Sequence, residues 1–442
     1  MRIDRMLFAN FPPFAPGGIV FPEVPERTGA EVHLLVGENG TGKTRLLSLL
    51  LNALGNQAEI KTRVDEPEHL LAFVSASLPN ETISFFSRSR LFFTSSHFPT
   101  KSDLQRHVGF SLETIPKRLP LFPDTTDSPL RRIGVKGFCN HDAAANRPIA
   151  LCYKGIASIS DAKVSSMKAV ASRPVSDDLV FHKDPQESDE VGQLMVNLKL
   201  AAAMDLLQNN ERGRNIRLTN RLETTISQIT GKKFSFRVVD HPKVELRVDW
   251  GTKKQMRISQ LPDGLRSIIG WLVSCCARLS MHLPDDPNPL DHPFVLVLDE
   301  PEGNLHPAWQ RKVLPAARKL FKNAQIIAAT HSPWVVSSVN EGFIHVLRFN
   351  SDEQVTVDPP KPCEKGDSYI DVVEDVLGVK EWFDPETEAL LAEFRDLVSK
   401  GGPAGEIERL AAEIGGRGEY LAALVGREMA GFRRKSQQPK GA

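Results

Sequence analysis

The sequence has few cysteines and few tyrosines, five and three among 442 residues. The cysteines form neither a C-x-x-C pair nor another metal-ligand spacing, which argues against a cysteine-based metal site and is typical of thiols kept reduced. The longest apolar runs, such as IIGWLVSCCA, are far too short to span a bilayer. The N-terminal stretch MRIDRMLFANFPPF also lacks the apolar core of a secretory signal. We therefore expect a cytoplasmic protein with no membrane partner.

The chain also lacks net charge, because Lys+Arg and Asp+Glu number 55 each. No overall field draws such a protein to nucleic acid or to a membrane surface. Binding to nucleic acid would need a local basic patch, which the composition neither shows nor excludes. Nucleic acid therefore stays an open partner.

Three apolar runs predict buried strands: EVHLLVG, FVLVLDE and AQIIAAT. Each is followed by a predicted helix, the first of which is TRLLSLLLNAL. Residues 60–190 are irregular, with candidate strands in RLFFTSS and PIALCYKGIASIS. Further on, QLMVNLKLAAAMDLL and NRLETTISQI predict helices, and KFSFRVVD with VELRVDW predicts a two-stranded hairpin. From about Ser368 the pattern is helical, and the last residues predict a disordered tail.

The stretch GENGTGKT, residues 37–44, fits the phosphate-loop pattern G-x-x-x-x-G-K-[ST] between a predicted strand and a predicted helix. Backbone N–H groups of residues 40–43 can wrap a β-phosphate. The charge of Lys43 then falls on the β- and γ-phosphate oxygens, and the Thr44 hydroxyl is placed to ligate Mg²⁺. This pattern predicts ATP and Mg²⁺ as cofactors.

Two other predicted strands end in polar residues. FVLVLDE ends in Asp299 and Glu300, which we expect to hold the Mg²⁺ shell and to polarise the attacking water, respectively. AQIIAATHS ends in Thr330, His331 and Ser332, and His331 would lie on the ligand edge of a parallel sheet and touch the γ-phosphate. A fourth stretch, ISQLPDGLRS, places a Pro-Asp-Gly turn at a helix N-terminus, which is a ready anion site.

The order of these four motifs resembles the ABC-type ATPases of the SMC/RecF class. In that class the signature turn of one subunit faces the phosphate loop of another, with ATP between them. The resemblance implies that Asp263 and Gly264 cap the γ-phosphate of a partner's ATP, in a homodimer or a higher oligomer. Pro262 stands where the family usually has serine. The predicted ATP-binding residues are Gly37, Asn39, Gly40, Thr41, Gly42, Lys43, Thr44, Asp263 and Gly264; the predicted metal ligands are Thr44 and Asp299; the predicted catalytic residues are Glu300, His331 and Asp299.

The continuation DEPEGNLHPAWQR, residues 299–311, resembles the OLD-type ATPases and their relatives in anti-phage systems, among them the Septu and PARIS ATPase subunits. OLD nucleases continue into a Toprim domain, which needs a D-x-D cluster, and this sequence has none. No HNH or H-E-x-x-H site occurs either. The resemblance therefore implies an ATPase subunit whose effector, a nuclease, is a separate protein. The helical C-terminus either closes the core or docks that effector.

The predicted fold class is α/β, a P-loop ABC-type ATPase with a mixed central sheet, an inserted α+β lobe and a C-terminal helical segment. The predicted segments are the N-terminal part of the core (1–60), an insertion (61–190), a helical lobe with a β-hairpin (191–257), the C-terminal part of the core (258–350) and a helical segment with its tail (351–442). Two alternatives stay open. One is a DNA-repair or DNA-clamping ATPase, and the other is a scaffold in which hydrolysis is incidental.

Overall fold

The computed structural model describes residues 2–9, 11–54, 71–78, 81–88, 131–132, 149–155, 185–208, 213–239, 244–363, 369–378 and 381–436. Within these ranges the chain divides into two units, Met1–Leu377 and Gly378–Ala442. The predicted strand RLFFTSS lies outside the described residues. No described helix is long and apolar enough to cross a membrane.

The described strands fall into three sheets. In chain order they are β1 (Arg2–Ala9), β2 (Gly17–Val20), β3 (Glu31–Gly37), β4 (Leu71–Leu78), β5 (Glu81–Arg88), β6 (Arg131–Arg132), β7 (Ala150–Lys154), β8 (Phe234–Val239), β9 (Glu245–Trp250), β10 (Lys253–Arg257), β11 (Val295–Asp299), β12 (Gln325–Thr330), β13 (Gly342–Phe349), β14 (Val355–Val357) and β15 (Lys361–Pro362).

The central sheet has the order β14-β13-β3-β12-β11-β7, and β15 also pairs with β13. Its strands β13, β3, β12, β11 and β7 are parallel to their neighbours, whereas β14 and β15 are antiparallel to β13. Strands β3, β11 and β12 are buried along their whole length. Their continuous apolar runs are typical of parallel strands that are covered on both faces. The predicted mixed α/β sheet is confirmed.

The other two sheets flank this one. The first has the order β2-β1-β4-β5-β6 and is antiparallel except for the β5–β6 pair. The second, β10-β9-β8, is antiparallel and adds a third strand to the predicted hairpin. The predicted insertion, 61–190, thus contributes β4 to the sheet of β1 and β7 to the central sheet.

The described residues also form ten helices. In chain order they are α1 (Lys43–Leu54), α2 (Pro185–Leu207), α3 (Arg214–Thr230), α4 (Asp263–His282), α5 (Pro307–Leu320), α6 (Pro333–Val336), α7 (Tyr369–Asp371), α8 (Pro385–Lys400), α9 (Ala404–Gly415) and α10 (Glu419–Ser436), with 3₁₀ turns at Ile258–Gln260 and Pro289–Asp291 and a π turn at Val372–Val376.

Two hydrophobic clusters lie on opposite faces of the central sheet. Successive residues of β11 alternate between them: Val295 and Val297 pack with α1, while Leu296 and Leu298 pack with α2 to α5. This alternation follows from the two-residue period of a strand. The carboxyl ends of the parallel strands meet at one edge, and the loops that leave this edge carry the predicted site.

The second unit has a hydrophobic core of its own. Seven residues form it: Leu391, Phe394, Ile407, Leu410, Ile414, Leu421 and Val425. Asp384 caps α8 by accepting a hydrogen bond from the Thr387 N–H, and Gly401 ends that helix in a left-handed conformation. The residues Gly-Gly-Pro therefore form the turn between α8 and α9, and the helical pattern predicted for this part of the chain is confirmed.

Candidate functional site

The phosphate loop joins β3 to α1 at the carboxyl edge of the central sheet. Gly40 and Gly42 have φ angles of +89° and +81°, a region that other L-residues rarely adopt. A side chain at Gly42 would also come within 3.0 Å of the Phe14 ring. Thr41 closes the loop, because its hydroxyl donates to the Glu38 carbonyl at 2.8 Å. The loop conformation therefore needs glycine at these positions.

Lys43 and Thr44 begin helix α1 directly after this loop. The Lys43 Nζ donates to the carbonyl oxygens of Gly37 at 2.8 Å and Glu38 at 3.0 Å. Burial lowers the pKa of Lys43, and the nearby acids, first among them Glu300, oppose that shift. The Thr44 hydroxyl donates to Asp299 Oδ1 at 2.9 Å, so the two predicted metal ligands lie in direct contact.

The acidic end of β11 lies beside the end of β12. Asp299 is buried, whereas Glu300 is partly exposed and has a left-handed φ of +52°. The Glu300 N–H donates to the Ala329 carbonyl at 2.9 Å, which fixes this turn against β12. Glu300 Oε1 lies 3.4 Å from Nδ1 of the exposed His331. The three predicted catalytic residues therefore lie together at one edge.

Gly155, at the end of β7, is a neighbour that the sequence did not reveal. Its N–H donates to the Asp299 carbonyl at 2.8 Å. A Cβ at this position would lie 1.6 Å from the Glu300 carbonyl oxygen. The Ser267 hydroxyl donates to the Gly155 carbonyl, so helix α4 is tied to the same edge. Only glycine allows β7 to approach the acidic turn this closely.

Glu302 is a second neighbour that motif reasoning left without a role. Its side chain is buried, and its Oε1 accepts a hydrogen bond from the Thr330 hydroxyl. Within the described residues its Oε2 has no hydrogen-bond partner. Burial raises the pKa of Glu302. The Thr330 oxygen also accepts from the Ser332 N–H at 3.0 Å, so Glu302 supports the turn that carries His331. The signal in the sequence was the second glutamate of DEPE.

The predicted signature turn lies at the start of α4. Pro262 is the N-cap residue, and the exposed Asp263 pairs with Arg266. Gly264 is buried, and a Cβ there would lie 2.5 Å from the Asn304 carbonyl oxygen. Within the described residues no hydrogen bond or ion pair joins Asp263 or Gly264 to the phosphate loop. The turn instead packs on the loop that follows the acids of its own chain.

The arrangement fits nucleotide and a divalent cation. The N-terminus of α1 and the phosphate loop present backbone N–H groups and one buried lysine to an anion. Thr44 and Asp299 offer two oxygen ligands, and Mg²⁺ usually takes one or two such ligands from a protein and the rest from phosphate and water. The described residues contain no group of three or more His, Cys, Asp or Glu that could hold a metal alone.

Known proteins resemble parts of this chain. The Retron Ec83 probable ATPase of Escherichia coli is 34% identical over 93 residues, 21% of this chain and 17% of that protein. The Septu protein PtuA of Bacillus thuringiensis is 30% identical over 107 residues, 24% of this chain and 27% of that protein. The matched segments thus span less than a third of these relatives.

A solved structure, the SMC head domain from Thermotoga maritima, aligns with 82% of this chain and all of that chain, with a TM-score of 0.40 and 12% identity. A family model described as "AAA domain, putative AbiEii toxin, Type IV TA system" matches residues 32–337. That span runs from the phosphate-loop strand through the acidic turn to His331. The chain therefore belongs to this family of AAA-domain proteins.

Proposed function

We propose that this chain is a Mg²⁺-dependent ATPase subunit that dimerises around ATP and regulates a separate effector, a nuclease, in the cytoplasm during anti-phage defence. One observation carries the ATPase part of the proposal. The Thr44 hydroxyl contacts Asp299 at 2.9 Å, and Glu300 and His331 lie on the same edge. The similarity to the Retron probable ATPase and to Septu PtuA supports the defence context.

Each residue of the edge has a task in ATP hydrolysis. The loop N–H groups and Lys43 bind the phosphates and orient the γ-phosphate for in-line attack. Mg²⁺ held by Thr44 and Asp299 would neutralise charge on the phosphate oxygens. Glu300 accepts the proton of the attacking water, because its partly exposed carboxyl group lies beside His331 on this edge. His331 contacts the γ-phosphate.

Exposed polar residues near the signature turn support a site shared by two copies. Asp263, Asn304 and His306 are exposed. Gly264 packs on the Asn304 backbone, which holds the turn and the loop together as one surface. This surface makes no hydrogen bond to the phosphate loop of its own chain within the described residues. A second copy of the chain would bring it to that loop, with ATP between the two.

Mixing two inactive variants tests the shared site. Lys43→Ala removes the phosphate contact of one copy, and Asp263→Trp puts bulk on the exposed signature turn of the other. Gly264→Asp is less suitable, because a side chain there meets its own Asn304 at 2.5 Å. In the mixed dimer one site carries both lesions and the other carries none, so ATPase activity should return in part.

The matched control replaces Asp263→Trp with Asp352→Trp, an exposed acid outside the proposed site. The Asp352→Trp variant should be active alone. If mixed dimers form and remain as inactive as the single variants, Asp263 does not face a partner's ATP. If Lys43→Ala alone binds ATP as tightly as the wild type, the phosphate-loop assignment itself is wrong.

A further inference from the structure

The three-stranded sheet β10-β9-β8 carries a row of arginines. Arg237 on β8 pairs in register with Arg247 on β9, and Arg247 pairs in register with Arg257 on β10. The three side chains are therefore direct cross-strand neighbours on one face, which we call the arginine row. Adjacent strands lie about 4.8 Å apart, so the row extends over roughly 10 Å.

The arginine row faces away from the hydrophobic core. Phe236 and Val248, which are sequence neighbours of Arg237 and Arg247, are buried in the core. Since successive residues of a strand point to opposite faces, the arginines lie on the face away from the core. Arg237 and Arg257 are exposed, and 61% of the Arg237 side chain is accessible. Arg247 is partly buried.

Like charges directly opposite each other destabilise a sheet. Two acids on β9 offset part of this cost: Asp249 pairs with Arg237, and Glu245 pairs with Arg247. Residues 231–257 nevertheless contain eight Lys or Arg and three Asp or Glu, in a chain whose net charge is zero. The basic excess is therefore local, and it would suit an anionic partner.

We propose that the arginine row binds the phosphate backbone of double-stranded DNA. Each guanidinium presents a planar set of donors that matches a phosphate group, and duplex DNA offers one negative charge per roughly 1.7 Å of axis. The described residues on this face include no aromatic side chain, so there is no platform on which single-stranded bases could stack. Contacts to DNA phosphates carry no sequence information, so we expect the row to bind DNA without sequence preference.

The site lies directly before the signature turn. Strand β10 ends at Arg257, the 3₁₀ turn Ile258–Gln260 follows at once, and α4 begins at Asp263. The Arg257 N–H donates to Gln260 Oε1 at 2.9 Å, which joins the end of the row to this turn. DNA on the row would therefore change the position of the signature turn and the rate of ATP hydrolysis. This second effect rests on the proposed ATPase, whereas binding to DNA does not.

Fluorescence anisotropy with a mixed-sequence DNA duplex tests the binding. The row variant is Arg237→Gln with Arg257→Gln, which spares the partly buried Arg247. The matched control, Lys319→Gln with Lys322→Gln, removes two exposed cations elsewhere. We expect the row variant to bind roughly tenfold more weakly and to lose about two units of slope in a log–log salt titration. The control should stay within about twofold of the wild type.

Three results would overturn the proposal: wild-type affinity in the row variant, an equal loss in both variants, or competition by poly-glutamate as strong as that by a second duplex. The last result would assign the row to an acidic protein. Arg257→Gln alone is a further variant, because it breaks no described ion pair. Thermal melting tests whether each variant is folded. DNA binding without any change in ATPase rate would reject only the link to the signature turn.

Discussion

Glu300 and Glu302 lie two positions apart in opposite surroundings. Glu300 is partly exposed, and its Oε1 lies 3.4 Å from His331 Nδ1. Glu302 is buried on Thr330, and burial raises its pKa. A carboxyl group with a raised pKa keeps its proton more readily than an exposed one. The two acids should therefore respond differently to the same substitution.

We predict that Glu300→Gln slows ATP hydrolysis strongly and that Glu302→Gln leaves its rate almost unchanged. Glu300→Gln should bind ATP and hydrolyse it about 10²–10⁴-fold more slowly, because the water loses its base while Thr44 and Asp299 remain. Glu302→Gln should stay near the wild-type rate, because an amide oxygen still accepts the Thr330 hydrogen bond. Steady-state ATPase assays and nucleotide-binding measurements on the two variants test this prediction. Normal turnover in Glu300→Gln would remove that residue from the catalytic role.

Glu302→Leu extends the comparison. Leucine removes the acceptor for Thr330 and so releases the turn that holds His331. We expect a lower kcat with little change in nucleotide affinity. If Glu302→Gln is as slow as Glu300→Gln, Glu302 takes part in the reaction and does more than support the turn that holds His331.

At the scale of the elements, the end of β7 lies directly against the reacting edge. Gly155→Ala would place a methyl group against the Glu300 carbonyl. We predict that this variant loses most of its ATPase activity and melts at a lower temperature, because the acidic turn must move. Gly426→Ala in α10 is the control. A Cβ there meets nothing within 4 Å, and alanine in a helix interior is more stable than glycine by roughly 0.5–1 kcal/mol.

Strands β3 and β13 share a buried pair of histidines. His33 Nδ1 lies 3.1 Å from His345 Nε2, and His33 Nε2 lies 2.6 Å from Glu31. Burial lowers the pKa of both histidines, most strongly for His345. The unfolded chain therefore binds more protons than the folded chain once the pH falls below about 6.5.

We accordingly predict that the free energy of unfolding is highest above pH 6.5 and falls as the pH drops below that value. Each proton taken up only by the unfolded state contributes a slope of up to about 1.4 kcal/mol per pH unit. His345→Phe keeps the ring beside Phe21 and should reduce the slope. Denaturant unfolding at several pH values measures how the free energy of unfolding changes with pH. An unchanged slope in His345→Phe would show that other groups cause the acid sensitivity.

The sequence predicted the elements whose signal is local. The buried strands and the helix after the phosphate loop follow from apolar runs and from the Gly-Lys-Thr spacing. Strand β10 was missed, because KKQMR lacks the alternation of a half-buried strand. The role of Gly155 could not be predicted, since it depends on the pairing of β7 with β11 between residues far apart in sequence. The burial of Glu302 likewise depends on β12.

The whole chain consists of two units with separate hydrophobic cores. The clusters of the first unit include no residue beyond Leu377, and the second unit has the core around Phe394. Such a division is typical of parts that fold independently. The second unit holds none of the predicted ATP-binding residues, which leaves it available for a partner.

We predict that a chain ending at Leu377 keeps its ATPase activity and loses its effector. Retention follows because the proposed site and its cores lie before that residue. ATPase assays and co-purification from the native host, with mass spectrometry of bound chains, measure the two effects. A full-length variant complements the truncation: Tyr420→Asp changes one exposed residue on the surface of the second unit. A truncated chain that still binds the same effector would place the docking surface in the first unit.

The left-handed backbone of Glu300 has a consequence for inheritance. A non-glycine residue in this conformation costs of order 1–3 kcal/mol. Replacing it with asparagine, which tolerates that region better, removes the base and relieves part of the cost. The inactive protein would then be at least as stable as the active one and would accumulate normally in the cell. If two copies share each ATP, such a chain would pair with intact copies and inactivate one of the two sites in every mixed dimer, so one defective allele would lower the activity of the intact copies without abolishing it.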